Sequence, residues 1–380
     1  MKQWISLLLI LAMGCFLCAP ARAIPTAEPY PMPSVSARSA ILMNPENGDV
    51  YFEKNADEPM GMASTTKLMT ALVVLDSMDP EDIITVSEDA VGIEGSSIYL
   101  IKGEQLTVRQ LLYALLLSSA NDAAAALAIA LSGSVEAFSQ RMNQRAEAMG
   151  LSHTHFTNPH GLYDEDHYTT ARELSQIGAE VLRRPLLKEI VSTSKATIPH
   201  DTVPDQRLLV NHNKLLRTYE GAIGMKTGYT KATGRTLVSA AERNGMTLIA
   251  VTLNAPDDWR DHTALLDYGF ASYEKVVIAP AGTVSVSLPL TGGCEDTVRL
   301  TNQSELTLIL PRQRSEIGYA VESTGHFCYA PIREGASVGR ISVSCEGQSV
   351  ASALIATQAV ASATPKKKGF FERLFTFFDT

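Results

Sequence analysis

Three short polar clusters carry residue types that together can perform acyl transfer. The first is Ser64-Thr65-Thr66-Lys67, which opens an apolar, helix-favouring run ending at Leu75. A serine hydroxyl at its free pKa is a weak nucleophile, so it needs a base within hydrogen-bond reach and donors for the oxyanion it creates. On a helix, positions i and i+3 share a face, which puts Lys67 one turn from Ser64. Ser64 is expected in the first helical turn, where free N–H groups and the positive dipole end favour developing negative charge. A lysine acts as base only after losing its proton, and burial beside another cation lowers its pKa. Lys226-Thr227-Gly228 supplies that second lysine. It also offers a cation and a hydroxyl for a substrate carboxylate, and a glycine past which a substrate backbone can approach closely. Between these two in the chain lies Ser119-Ala120-Asn121, where the serine could relay a proton to a leaving amine and the asparagine N–H could hold a substrate carbonyl.

Ser-x-x-Lys alone is cheap: about one or two matches arise by chance in a chain of this length. Ser192-Thr193-Ser194-Lys195 is a second one, but no long apolar helix follows it, so context selects Ser64. Lys-Thr-Gly is rarer, at about a tenth of a match per chain. All three clusters in this order, each at an expected element boundary, form a specific signal.

With 380 residues and 45% hydrophobic content, the chain can bury a sizeable core and divides into two domains. A net charge of −9 leaves no basic stripe to displace counterions from phosphates, which excludes nucleic acid as a partner. Residues 1–23 read as an export signal: Lys2, an apolar stretch from Ile5 to Leu17, then Ala21-Arg22-Ala23 as the cleavage site. The apolar run is shorter than the roughly 20 residues a membrane span requires. Cys294, Cys328 and Cys345 remain after export, an odd number whose spacing does not say which pair, if any, joins. No ligand spacing for a metal appears, and no metal or other cofactor is expected.

A proline-rich leader, 24–36, precedes a hairpin formed by Ala37–Met43 and Val50–Glu53. Ile83 to Lys102 reads as short and β-rich. Thr107–Leu117 is a buried-looking helix, a second follows with Asn121 or Asp122 as cap, and a third runs from Val135 to Met149. Thr169 or Thr170 caps a helix reaching about Arg184. Asn244-Gly245 between two β-branched runs signals a hairpin that follows Lys226-Thr227-Gly228, and Asp257–Tyr273 reads as a helix. Short alternating runs over 276–355 suggest a separate small β domain, after a serine peptidase domain at 37–275. A linker, 356–368, leads to 369–380. There Phe370, Phe371, Leu374, Phe375, Phe377 and Phe378 share one helical arc opposite Glu372, Arg373, Thr376 and Asp379, the pattern of an in-plane amphipathic anchor on a membrane surface.

The three clusters are the motif set of penicillin-binding proteins and class A β-lactamases. Together with Pro159-His160-Gly161-Leu162, Met225 and Tyr229 around the third motif, the β domain and the amphipathic tail, they make the chain resemble the low-molecular-weight penicillin-binding proteins, specifically the serine D-alanyl-D-alanine carboxypeptidases. The resemblance implies an α/β fold of the α+β kind: an antiparallel sheet with a helical subdomain, plus a small all-β C-terminal domain and a C-terminal amphipathic helix. It implies an exported enzyme at the outer face of the cytoplasmic membrane, acting on peptidoglycan stem peptides and acylated by β-lactams. It also implies an oxyanion hole made by the backbone N–H groups of Ser64 and Tyr229. Two departures stand out. Ala120 replaces the usual glycine of the second motif, and Thr247 stands where many members carry a carboxylate-binding arginine. Arg235 is the candidate to take over that task, the other reading being a surface arginine. His160 is read as ordering its loop by hydrogen bonds in preference to direct catalysis. The rival functions are a β-lactamase-like hydrolase, for which no Glu-x-x-x-Asn loop is found between Thr157 and Ser175, and a non-catalytic peptidoglycan-binding protein, which would not need three intact clusters.

Overall fold

The computed structural model describes residues 30–200, 206–313, 320–324, 327–345 and 348–363; the expected signal and amphipathic tail lie outside them. The hairpin forms from β1 (Ser39–Met43) and β2 (Val50–Lys54). A tight 3-10 turn, Ala63–Thr66, then runs into α1 (Lys67–Leu75). Ser64 therefore sits in the turn before the α-helix and not in its first turn. The cause is local: Thr65 and Thr66 return their hydroxyls to the carbonyls of Met62 (2.5 Å) and Ala63 (2.7 Å), and Ala63 adopts φ +47°. In 3-10 geometry side chains at i and i+3 eclipse, which brings Ser64 and Lys67 closer than an α-helix would.

β3 (Ile83–Thr85) pairs with β4 (Gln105–Thr107), and the stretch between them is a loop rather than the expected β-rich segment. Its backbone turns through positive φ at Gly92, Gly95, Tyr99 and Gly103. A capping box of Thr107 and Gln110 opens α2 (Val108–Leu117), which is followed by α3 (Asn121–Ser132) and α4 (Val135–Ala148). The cap expected for α3 is not made by Asn121 or Asp122. Ala120 holds that position with no side-chain bond, because both polar side chains are spent on tertiary contacts. Thr170 caps α5 (Ala171–Arg183) through the Glu173 amide at 3.1 Å. Then come α6 (Pro185–Ser192), β5 (Lys195–Ile198) and β6 (Arg207–Val210), none of them anticipated. Ser192 closes α6 and bonds its own carbonyls of Lys188 and Glu189, while Lys195 starts an exposed strand, so the second Ser-x-x-Lys match is structural.

β7 (Ala222–Thr230), β8 (Gly234–Arg243) and β9 (Met246–Leu253) complete a five-stranded antiparallel sheet in the order β2-β1-β9-β8-β7. Asn244 and Gly245 both take positive φ, as the two-residue turn between β8 and β9 requires. Both faces are buried, so β9 carries the continuous apolar run Leu248-Ile249-Ala250-Val251 at its centre. Ile249, Val251 and Leu253 join the large helical core with Leu68, Leu174 and Ile177, while Leu248 and Ala250 face α7 (Asp258–Ser272) with Leu265, Leu266 and Phe270. α3 is buried on nearly all sides, consistent with its run of alanines.

The β domain begins earlier than expected. β10 (Tyr273–Ala279) continues directly from α7 and pairs with β13 (Leu306–Pro311). Between and after them lie β11 (Val286–Thr291), β12 (Thr297–Asn302), β14 (Ala320–Thr324), β15 (Cys328–Tyr329), β16 (Ser337–Cys345) and β17 (Gln348–Ala356). They form a sheet in the order β14-β16-β17-β12-β11-β15 around a separate apolar core. The three cysteines among the described residues, Cys294, Cys328 and Cys345, are free thiols, Cys294 exposed and the other two buried.

Candidate active site

The Lys67 amino group is fully buried and has three close neighbours: Ser64 Oγ at 2.9 Å, Asn121 Oδ1 at 2.7 Å and the His160 carbonyl at 2.5 Å. Two of these are carbonyl oxygens that can only accept. A neutral amine has two N–H bonds and one lone pair, so satisfying both carbonyls turns its lone pair towards the serine hydroxyl. Burial holds the Lys67 pKa well below the ordinary 10.5, the charge of Lys226 lowers it further, and Asp122 opposes them. Lys226 is itself buried, donates to the Thr227 carbonyl at 2.9 Å, and is pushed down to about 7 by desolvation.

β7 is the edge strand of the sheet and packs against the turn that carries Ser64. The approach is so close that a Cβ on Gly228 would lie 2.9 Å from the Ser64 nitrogen and 2.4 Å from Thr236 Oγ1. That amide nitrogen has no acceptor among the described residues. The loop bearing His160 closes the other side: Gly161 takes φ +85°, and a Cβ there would be 1.9 Å from the Ala63 carbonyl oxygen. Ser119, at the elbow between α2 and α3, is held at φ +59° and lines the cleft opposite Thr227 and Gly228. Asn121 lies behind it. Its Oδ1 holds Lys67, and one N–H of its amide donates to the Glu94 carbonyl at 2.5 Å, leaving the other N–H uncommitted.

The cleft measures about 350 Å³ and is lined by Ser64, Ser119, Thr227, Gly228, Tyr229 and Arg235 together with Ser96, His212, Lys214, Asp258 and Trp259. Every sequence-predicted site residue is thus in this cleft or directly behind it. The family model for peptidase S11, D-alanyl-D-alanine carboxypeptidase, matches residues 25–257. The D-alanyl-D-alanine carboxypeptidase DacC of Escherichia coli is 32% identical over 99% of this chain and 96% of its own, and DacF of Bacillus subtilis is 30% identical over 88% and 87%. The crystal structure of penicillin-binding protein 5 from Haemophilus influenzae superposes with a TM-score of 0.69 at 29% identity, covering 88% of this chain and all of that one.

The chain belongs to the D-alanyl-D-alanine carboxypeptidase family, peptidase S11.

For a D-alanyl-D-alanine carboxypeptidase with alanine in the second motif, the backbone at that position matters. Ala120 has φ −63°, where a Cβ carries no penalty, and its methyl is fully buried. Arg235 pairs across the hairpin with Tyr229, so its side chain shares the face of Thr227 and Tyr229. The guanidinium lies 5.8 Å from the Tyr229 ring and 4.0 Å from Asp258, and half its side-chain surface is exposed at the cleft mouth. His160 is buried, and burial followed by the nearby Lys67 charge drives it down to about 3, so it stays neutral. It contributes its backbone carbonyl to Lys67, while its ring accepts from the Leu162 amide at 3.3 Å. Lys214 and Trp259, which meet at 5.6 Å across the cleft, were not singled out in sequence because each is a lone residue outside any motif.

Proposed function

We propose that this D-alanyl-D-alanine carboxypeptidase releases the terminal D-alanine of peptidoglycan stem peptides through an acyl-enzyme on Ser64. The observation that carries the reading is the buried Lys67 amine, whose two carbonyl partners leave its lone pair for the Ser64 hydroxyl. Lys67 takes the proton as Ser64 Oγ attacks the carbonyl between the two D-alanines. The resulting oxyanion is received by the backbone N–H groups of Ser64 and Tyr229. Lys226, Thr227 and Arg235 hold the terminal carboxylate, which fixes the scissile bond over the serine. Ser119 relays that proton from Lys67 to the amine of the departing D-alanine, which breaks the C–N bond, leaves the acyl-enzyme and returns Lys67 to its neutral form. Water then attacks the ester with Lys67 again as base, which regenerates the hydroxyl. Asn121 keeps the amine in register through its Oδ1. A β-lactam carries the same carboxylate next to a strained amide and should acylate the same oxygen.

Export and attachment complete the reading. Residues 1–23 direct secretion, and the apolar arc of 369–380 lies in the membrane surface, so the enzyme works at the outer face of the cytoplasmic membrane. The deciding experiment is D-alanine release from a pentapeptide, with intact-mass detection of a penicillin adduct, on wild type and Ser64→Ala. Wild type should release D-alanine and gain one adduct, and Ser64→Ala should do neither. An equal adduct on both proteins would remove Ser64 from the mechanism.

A further inference from the structure

The peptide unit joining Ala63 to Ser64 is held from its oxygen side. Thr66 Oγ1 donates to the Ala63 carbonyl at 2.7 Å and lies 2.7 Å from Nε2 of His167, a residue 101 positions away. The His167 tautomer follows from its other nitrogen: Nδ1 accepts from the Thr157 amide at 3.0 Å, so Nε2 carries the hydrogen and donates to Thr66. The Thr66 hydrogen is then free only for the Ala63 oxygen. The chain Thr157 to His167 to Thr66 to Ala63 therefore has one direction throughout. His167 is 4% exposed and Thr66 1%, and the Phe156 ring stands edge-on to the imidazole at 5.7 Å.

In a trans peptide the C=O and N–H point in opposite directions in one plane. Fixing the Ala63 oxygen on Thr66 thus aims the Ser64 N–H the other way, where no described residue accepts it. The preceding residue has φ +47°, a strained conformation for alanine that persists only where its surroundings impose it. Met62 is pinned in the same manner, its carbonyl accepting from Thr65 Oγ1 and from Thr236 Oγ1 at 2.9 Å.

Resting on the acyl-enzyme reading above, we propose that Thr66 and His167 are positioning residues for the oxyanion hole, locking the Ala63–Ser64 peptide so that its N–H meets the developing negative charge. Neither side chain touches substrate. Their effect is confined to the transition state, because the ground-state carboxylate is held elsewhere, by Lys226, Thr227 and Arg235.

The test compares full-length wild type, Thr66→Val, Thr66→Ser and His167→Asn. Valine keeps the branched shape and loses both hydrogen bonds, serine keeps the hydroxyl, and asparagine can still accept from the Thr157 amide but is too short to reach Thr66. Penicillin acylation rate, KM for a D-alanyl-D-alanine peptide, affinity for a peptide boronic acid that forms a tetrahedral adduct on Ser64, and the acidic limb of the pH profile are measured on each. Thr66→Val and His167→Asn should lose about 10- to 100-fold in acylation, with boronate affinity falling in parallel, KM within about twofold and the acidic limb unmoved. Thr66→Ser should recover most of the loss. Thr66→Val with unchanged boronate affinity, a loss carried by a displaced acidic limb, or no rescue by serine would each overturn the proposal. A wild type that neither releases D-alanine nor takes up penicillin would sink the acyl-enzyme reading itself, whereas an active wild type matched by Thr66→Val sinks only this inference.

Discussion

Burying Lys226 with one carbonyl partner among the described residues leaves its ammonium poorly solvated, which lowers its pKa from the ordinary 10.5 to about 7. An unfolded lysine keeps its proton up to about pH 10.4. Between about 7 and 10.4 the unfolded state therefore binds more protons, and stability rises with pH across that window. Lys226→Met should raise the melting temperature, most at and below pH 7 and progressively less towards pH 10, as thermal unfolding at several pH values would show. The same substitution removes a charge that depresses Lys67. Its residual penicillin acylation should then have an acidic limb at higher pH, while Lys226→Arg keeps the limb in place. The pairing of Ser64 with Lys67 and the need for a second cation were both legible from residue type and spacing. The third partner of Lys67 was not: it is a backbone carbonyl 93 positions away, and nothing in a residue's identity announces what its carbonyl will accept. His167 escaped for a related reason, since a lone histidine ahead of a helix cap carries no spacing signal.

Loop and turn meet so closely beside Ser64 that one glycine decides whether they fit. Gly161 at φ +85° leaves no room for a methyl beside the Ala63 carbonyl. Gly161→Ala should cost more than about 100-fold in penicillin acylation, because displacing the turn misplaces Ser64, and about 1–3 kcal/mol of stability from the strained backbone. Stopped-flow acylation and urea unfolding would measure the two separately, and near-normal acylation would show that the loop does not set the turn. Elements with strong local chemistry were readable in advance: the Asn244-Gly245 hairpin, the helix ending at Leu117, and the cap at Thr169 or Thr170, which the structure gives to Thr170. Those settled by tertiary contacts were not. Pro185 reads as the end of the helix before it, yet it opens α6 at a position where a missing N–H costs nothing. Asp122 resembles a cap, but its carboxylate is used to bind Ser97 Oγ and the amides of Ile98 and Leu100, which gathers the loop above the cleft.

On the largest scale, the cleft and the β domain occupy opposite edges of the five-stranded sheet. The cleft borders β7, while β2 and the turn before it meet the β domain through Asp49, which accepts from Gln348 at 2.6 Å, and through Tyr51, which stacks on Tyr273 at 4.0 Å. Ile309 of β13 also enters the core beneath α7. Among the described residues, none that lines the cleft lies beyond Trp259 in the chain. A protein ending at residue 363 should therefore acylate with penicillin at a rate within about twofold of the full chain, yet fail to sediment with anionic lipid vesicles that carry the full chain down. Equal sedimentation of both would remove the tail as the attachment point. The change to strands after α7 was readable because alternation and turn residues replace helical periodicity there. The first of these strands starts at Tyr273, ahead of the expected 276, because β10 follows the helix without a loop.

Crossing from β2 to β7 takes four interstrand steps, about 19 Å at the usual spacing. If the tail rests on a bilayer, as proposed above, and the β domain lies between that surface and β2, the enzyme would stand on a stilt with its cleft raised above the lipid headgroups. Inserting residues between 357 and 368 would then raise the height at which it meets the wall, and a changed pattern of strands that keep their terminal D-alanine would be the readout.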